Sequence, residues 1–403
     1  MPAYDAFLLL SFGGPEGPDD VLPFLEKVTR GRGVPRERLA EVAEHYYAYG
    51  GVSPINAQCR DLLAAIGGQF AATAIDLPLY WGNRNWHPFI EDTVRQMKAD
   101  GVERALAFVT SAYSSYSACR QYLDDIDRAV AAADREAPGT GKTLRIDKIR
   151  PYFNHPGFIE PFAASVEAAL ATLPPGAQAG ARLVFTAHSV PVGMAAASGS
   201  PSRGTMVPDT GIPGTGVPAA VGGRYAAELR EASRLIAERV RGGSLPFDLV
   251  FQSRSGPPSV PWLEPDVNDH LAALAKGLLS SGERVPEGPP AAVVVAPVGF
   301  VSDHMEVVHD LDVEAAHTAA SLGLPFARAK APGPTPRFAA MVAELAAERL
   351  AGAEPRALGS FGPRAYENTA DEDSACADRG AGAAGGCPAD CCRYAASRPG
   401  RPA

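Results

Sequence analysis

An apolar run from Ala291 to Phe300 leads directly into Asp303, His304, Glu306, His309, Asp310, Asp312 and Glu314. Carboxylates and imidazoles are the side chains that hold divalent cations and move protons near neutral pH. Asp303, Glu306, Asp310 and Glu314 are three, four and four residues apart, so a regular α-helix would set all of them on one face. Like charges in such a row repel unless something cationic passes along them. A solvated acidic helix face is the simpler alternative. Val307 and Leu311 fall beside the row, however, and an acidic row among apolar neighbours reads as the wall of a pocket.

A second candidate is His188, in Leu-Val-Phe-Thr-Ala-His-Ser-Val-Pro, at the carboxyl end of an apolar strand. Ligands of open α/β sheets bind at such ends. A histidine facing carboxylates can bind a divalent cation or accept a proton. Its neighbour Ser189 does not make a hydrolase pair, because adjacent residues of an extended chain point apart. Gly13-Gly14-Pro15-Glu16-Gly17 follows the first apolar run but has neither dinucleotide spacing nor a phosphate-binding lysine. Ser253 to Trp262 reads as a rigid Pro-rich loop after another strand, with Trp262 able to cover a flat ligand. Arg30, Arg32, Arg84 and Arg254 lie in loops or at strand ends, and Tyr46, Tyr47, Tyr113, Tyr116 and Tyr122 at loop-like or helix-start positions. Guanidinium forks suit carboxylates, and aromatic rings suit a planar ligand.

These residues need a scaffold, and the apolar runs supply one. Phe7 to Phe12, Pro78 to Trp81 and Ala105 to Thr110 form one set of short strand-like segments; Leu183 to Thr186, Leu249 to Gln252 and Ala292 to Val298 form a second. Strands alternating with helical stretches specify a parallel α/β sheet. Leu-Leu-Leu-Ser-Phe-Gly-Gly-Pro is similar to the segment around His188, and each set ends in a strand, a polar loop and an acidic helix (Tyr122 to Asp127; Glu306 to Glu314). The chain therefore reads as two similar α/β halves facing across a cleft, residues 1–170 and 171–350. Residues 195–223, rich in Gly, Pro, Ser and Thr, read as a mobile surface insertion in the second half. Residues 351–403 form a low-complexity, Cys-containing tail that cannot build a core by itself.

With 403 residues and 46% hydrophobic content, the chain can bury a large core in two domains. The formal charge of -9 and the lack of a basic run argue against nucleic acid as a partner. The N-terminal segment has no basic leader and is too short and apolar only in part to span a bilayer, so it reads as a first buried strand of a cytoplasmic protein with no integral membrane segment. Cys59 and Cys119 stand alone, whereas Cys376, Cys387, Cys391 and Cys392 crowd the tail. In a cytosolic chain such crowding points to metal before disulfide.

Seven blocks, in order, carry a family resemblance: SFGGPEGPDDV, the Arg30–Gly33 segment, YGGVSPIN, YWGNRNWHP, FTAHSVP, FQSRSGPPSVPWLEP and PVGFVSDHMEVVHDLDVE. Together they resemble the ferrochelatases over about residues 4 to 350, and the actinobacterial type in particular. The resemblance implies two Rossmann-like halves around a porphyrin cleft and insertion of ferrous iron into the macrocycle, within heme biosynthesis. It matches His188 and Glu306 to facing contacts for the incoming iron, and Asp310 and Glu314 to an acidic relay on an irregular, partly π-type helix. It matches Ser53 and Tyr122 to tetrapyrrole contacts, with Arg30 or Arg32 and the His45–Tyr46 pair as further contacts. Where some members carry a metal-reaching tyrosine, this chain has Phe12, which cannot ligate.

The tail cysteines resemble those that hold a two-iron, two-sulfur cluster in several ferrochelatase lineages. In some of these one ligand comes from the insertion, which here has no cysteine. Either Cys376, Cys387, Cys391 and Cys392 all bind, or Cys119 replaces one of them; a tail of free thiols is the third possibility. The resemblance favours coproporphyrin III as substrate, giving coproheme for a downstream heme-pathway enzyme, since the acidic loop Gly13 to Asp20 offers no apolar lip for a membrane. Protoporphyrin IX is the alternative substrate, a cobalt or nickel chelatase the nearer enzymatic rival, and a non-catalytic tetrapyrrole or iron carrier the rival from another class. The chain is expected to act as a monomer.

Overall fold

The computed structural model describes residues 4–31, 33–136, 143–199, 223–256, 259–363, 391–392 and 394. Arg32, Cys376, Cys387 and most of the expected insertion and tail lie outside the described residues. Two four-stranded sheets account for the strands, β1 (Ala6–Ser11), β2 (Leu79–Asn83), β3 (Arg104–Val109) and β4 (Arg145–Lys148) in one, β5 (Ala181–His188), β6 (Phe247–Gln252), β7 (Ala292–Ala296) and β8 (Phe326–Arg328) in the other. Every pairing is parallel, and the orders β2-β1-β3-β4 and β6-β5-β7-β8 are the same plan used twice. The two similar halves expected from the repeated sequence pattern are thus present, each a doubly wound parallel sheet flanked by helices.

The sequence explains why the central strands are parallel. β1 (AFLLLS) and β7 (AVVVA) are buried along their whole length, as strands covered by helices on both faces must be. The edge strands β4 (RIDK) and β8 (FAR) are short and carry charged residues, and the apolar runs did not announce them. In each sheet the order reverses beside the first strand, so β1 and β5 end at the topological switch point where ligands bind. Ser11 and His188 are the last residues of these strands.

One apolar core runs through both sheets, holding Phe7, Phe108, Phe153 and Phe158 together with Phe185, Val294 and Phe338. The last long helix, Pro336–Leu350, crosses from the second half to pack on helices Ile55–Ala72 and Pro156–Thr172. Its Glu348 closes a bidentate, fully buried pair with Arg150, both distances 2.8 Å. Past it, the start of the tail is more ordered than its composition suggests. Asn154 Nδ2 donates to the carbonyls of Leu358 (3.2 Å) and Gly362 (2.9 Å), and Phe361 meets Phe153 edge-on. This stretch builds no core of its own; it borrows the one already present. No helix among the described residues is long and apolar enough to cross a membrane.

Candidate functional site

His188 closes β5 and projects toward the segment that follows β7. Its Nδ1 faces the Ser189 carbonyl oxygen, which can only accept, so Nδ1 carries a hydrogen and Nε2 is left as the basic nitrogen. Nε2 lies 3.6 Å from Glu306 Oε1, and both side chains keep about a third of their surface open. Burial is the largest single influence and opposes a charged imidazole, but the Glu306 charge and hydrogen bond, the Ser189 carbonyl and the Asp310 charge together overcome it and raise the His188 pKa. Burial likewise opposes ionised Glu306, and the His188 charge and hydrogen bond lower its pKa in turn. His304, stacked edge-on against Phe300, adds a second imidazole near the pair, with its pKa lowered by burial.

Glu306 sits in a single α-turn, Met305–Val307, which opens into a π-helix over Val308–Ala315. The regular helix implied by residue spacing is therefore replaced by the irregular one implied by the family resemblance. Asp303 drops out of the acidic row. It precedes the helix, and its carboxylate is held by Arg328 Nη1 at 2.8 Å. Asp312 is held by the same guanidinium at 2.6 Å. Glu306, Asp310 and Glu314 remain, four residues apart along wide turns closed by i→i+5 bonds.

Asp310 accepts hydrogen bonds from Ser253 Oγ and from Gln252 Nε2 (3.2 Å). Even so, burial and the neighbouring Glu306 push its pKa up to about 7. Gln252 is the register partner of His188 across β5 and β6, which is why its side chain reaches the same site. Ser253, one residue on, adopts a left-handed backbone with φ 63°, a conformation that side chains other than Asn, Asp or Gly rarely take. Its hydroxyl also lowers the Glu306 pKa, placing it between the two carboxyl groups. At the outer end, Glu314 is half-exposed and lies 3.4 Å from His309 Nε2. The His309 ring stacks on His45 from the other half, centroids 3.8 Å apart. Among the described residues, neither lysine nor arginine pairs with Glu306, Asp310 or Glu314.

The opposite wall comes from the first half. Ser53 is buried, its amide donating to the Pro15 carbonyl at 2.8 Å. Gly14 packs so tightly on it that a Cβ there would lie 2.8 Å from Ser53 Cβ. Phe12 is exposed beside Phe24, and Tyr46 stands near enough to Glu306 and Asp310 that burial and their charges raise its pKa. Tyr122, expected at the cleft, is buried under the Arg84 guanidinium, 4.5 Å from its carbon, and Arg84 is itself tied to Asp125. Arg30 is exposed. Trp262 is bridged through its backbone to Pro191, three residues beyond His188, and packs beneath Gly256. The acidic loop Gly13 to Asp20 forms no apolar lip, but it does not stand alone. Tyr47, Tyr49 and Val52 are exposed, and Val52 bridges Glu16 within that loop.

Two other constellations invite a chemical reading. Ser280 Oγ lies 2.7 Å from His270 Nδ1, and His270 Nε2 lies 3.0 Å from Asp248, as in a hydrolase triad. Asp248 is closed off by a bidentate Arg182, His270 is fully buried, and the cluster sits where β5 and β6 begin, away from His188. Cys391 and Cys392 are buried with sulfurs 3.6 Å apart, and Cys119 is buried in a second π-turn, Tyr116–Arg120. Among the described residues, no three His, Cys, Asp or Glu side chains are gathered tightly enough to hold a metal ion.

Residues 4–350 match the family model described as Ferrochelatase. The chain is 50% identical over 368 residues to a protein of Streptomyces griseus named coproporphyrin III ferrochelatase, covering 89% of this chain and 90% of the relative. It is 53% identical over 358 residues to a protein of the same name from Nocardia farcinica, covering 89% and 92%. It is 47% identical over 410 residues to a protein of Rhodopirellula baltica named ferrochelatase, covering 100% and 98%.

Proposed function

The chain belongs to the ferrochelatase family, and from that premise we propose that it inserts ferrous iron into coproporphyrin III, giving coproheme in heme biosynthesis. The observation that carries the mechanism is the pair of His188 Nε2 and Glu306 Oε1, 3.6 Å apart and backed by a carboxyl with pKa about 7. Insertion releases two pyrrole protons and strips water from the metal. His188, its base strengthened by Glu306, accepts a pyrrole proton at Nε2, and the imidazolium formed is stabilised by the carboxylate it faces. Glu306 meets the incoming cation and passes the second proton toward Asp310, which can hold it near neutral pH, with Glu314 as the outlet to solvent. Ser53, Tyr46, Trp262 and the Arg30–Gly33 segment act as walls for the macrocycle, with residues 1–170 and 171–350 on its two sides, and Tyr122 supports that wall through Arg84.

Coproporphyrin is favoured because two of the relatives above bear that name. Protoporphyrin IX stands as the second reading, supported by the exposed Tyr47, Tyr49 and Val52 at the mouth. Anaerobic insertion of ferrous iron, followed optically with each porphyrin, tests both. A clear preference for protoporphyrin overturns the first reading, and tight porphyrin binding without insertion overturns both. The acidic chain and its fold fit a reaction in the cytoplasm that passes its product to a downstream pathway enzyme.

A two-iron, two-sulfur cluster is the resident group this reading adds, and Cys391 and Cys392 fit half of its needs. Sulfurs bound to one tetrahedral metal at about 2.3 Å are separated by about 3.8 Å, close to the 3.6 Å found. The Gly199 amide donates to Cys392 Sγ at 3.2 Å, the kind of bond that tunes a cluster thiolate. Cys392 is held left-handed at φ 58°, which brings the adjacent thiols to one side. Cys376 and Cys387, which lie outside the described residues, would supply the remaining ligands, with Cys119 as substitute. Ser117, beside Cys119, contacts Met194 Sδ at 3.9 Å, on the short helix that leads to Gly199. Such a cluster would supply a redox-sensitive tie between tail and body. Visible absorption with iron and sulfide analysis of anaerobically purified protein, lost in C391S, is the test; colourless wild type refutes it.

A further inference from the structure

We propose that Gln58 is a positioning residue for iron insertion: its carboxamide clamps the backbone of Asp303 and thereby fixes the Glu306 wall against the Ser53 wall across the cleft. This rests on the iron-insertion reading above. Gln58 Nε2 donates to the Asp303 carbonyl at 3.0 Å, and the Asp303 amide donates to Gln58 Oε1 at 3.1 Å. One side chain thus satisfies both backbone groups of a residue 245 positions away, in the other half of the molecule.

Each end of the clamp is anchored to the site. Gln58 lies in the first turn of helix Ile55–Ala72, which starts just after Ser53. Two residues earlier, the buried Asn56 donates to the carbonyls of Gly14 and His87, both at 3.2 Å, and accepts from Asn83 Nδ2 at 3.3 Å. That turn is therefore stitched to the loops after β1 and β2, which form the first wall. On the far side, Asp303 is fixed through its carboxylate to Arg328, and Glu306 follows three residues later. Gln58 is, among the described residues, the side chain of the first half that hydrogen-bonds the backbone at Asp303 itself; the Tyr113 hydroxyl on the Val298 carbonyl (2.7 Å) and the His45–His309 stack hold the same segment before and after it. The pattern demands a glutamine: glutamate supplies the acceptor but no donor, and methionine has the length with neither.

The distance between the walls matters because the macrocycle leans on one and meets iron and base from the other, and displacement of about 1 Å at a reacting centre can cost up to 10²-fold in rate. The test uses the full-length protein with Gln58→Met and Gln58→Glu. Readouts are anaerobic iron insertion, porphyrin affinity by fluorescence quenching, thermal melting, and hydrogen exchange at the Asp303 amide. We expect Q58M to lower kcat about tenfold while porphyrin affinity stays within about threefold, with Q58E intermediate because its carboxylate still accepts from the Asp303 amide. The Asp303 amide should exchange faster in Q58M than in Q58E. A merely structural clamp would lower the melting temperature and leave kcat per folded molecule unchanged, which overturns the proposal. A rise in kcat also overturns it, since the contact would then be a latch that must open. Wild-type protein that inserts no iron overturns the functional reading as well, whereas wild-type insertion with an unaltered Q58M rate overturns the clamp alone.

Discussion

Replacing Asp310 by Asn should stabilise the protein at alkaline pH while slowing its reaction. The folded state moves the Asp310 carboxyl from 3.8 to about 7, through burial first and the Glu306 charge second. A group whose pKa is raised on folding binds its proton more tightly in the native than in the unfolded chain, so native stability falls as pH rises from about 4 to about 7 and then levels off. At about 1.4 kcal/mol for each tenfold change in acidity, the full displacement is worth about 4 kcal/mol. The carboxylate keeps a partly open face and two hydrogen bonds, so we take about half, ~2 kcal/mol, as the expected gain. Asparagine keeps the shape and can accept from Ser253 and Gln252, but it has no charge to set against Glu306. The assay is equilibrium urea unfolding of both proteins at pH 5 and pH 8, with insertion rates measured in parallel. About three-fifths of that fall lies above pH 5, so the stability difference between variant and wild type should grow by ~1.3 kcal/mol over that interval. The wild-type rate should climb with pH through about 7 and the variant should lose that limb. A stability difference that does not change between the two pH values would refute the electrostatic reasoning; an unchanged rate profile would refute the relay.

His188→Ala removes the imidazole that ends β5, and insertion should fall by at least about 100-fold with porphyrin binding retained; near-normal turnover would sink its role. Ser253→Gly relieves a left-handed backbone and should stabilise by about 0.5 to 1 kcal/mol, yet lose about tenfold in rate because the hydroxyl between Glu306 and Asp310 is gone. If its rate matches wild type, the strained serine serves only the loop. His270→Ala should destabilise by about 2 to 3 kcal/mol, by removing one of the hydrogen bonds of buried Asp248, which keeps Arg182, and by opening a cavity, with kcat unaffected; labelling of Ser280 by a fluorophosphonate would instead reveal a working hydrolase triad.

The apolar central strands were legible because a strand covered on both faces must be apolar throughout. β4 and β8 were not, since an edge strand of three or four residues can carry charged residues and still pair. His188 and Glu306 could be read from chain position alone, one at a strand end and the other just after one. Asp303 was misassigned because a periodicity argument presumes a single helix, and this one begins only at Met305. Tyr122 sits deeper than its place at a helix start suggested, because Arg84 lies over it. Gln252 and Ser253 left one usable signal: they end the strand that must lie beside β5 in a repeated sheet. Gln58 left none, because its meaning comes entirely from a tertiary contact.

The duplicated plan shows what separates a structural acidic row from a chemical one. In both halves a π-turn follows the third strand, Tyr116–Arg120 after β3 and Val308–Ala315 after β7, and acidic residues accompany it. In the first half the two acids nearest the turn are paired with guanidinium, Asp124 with Arg120 at 2.9 Å and Asp125 with Arg84 and Arg128, and Asp127 lies beyond them with its pKa raised by burial. In the second half Asp303 and Asp312 share Arg328, while among the described residues Glu306 faces His188 and the Ser253 hydroxyl, Glu314 faces His309, and Asp310 takes hydrogen bonds from neutral donors. Guanidinium stays charged at every relevant pH, so a carboxylate paired with it can neither take up a proton nor release one to a neighbour near neutrality. Imidazole, hydroxyl and amide partners leave that freedom intact, and a passing divalent cation finds its carboxylates unclaimed. On the function proposed above, a flat macrocycle between two such halves meets its proton-accepting carboxylates from the second half, which would put metal entry and proton exit on that side. An arginine installed beside Glu306 would preserve the fold and the row of acids while removing what makes that row reactive.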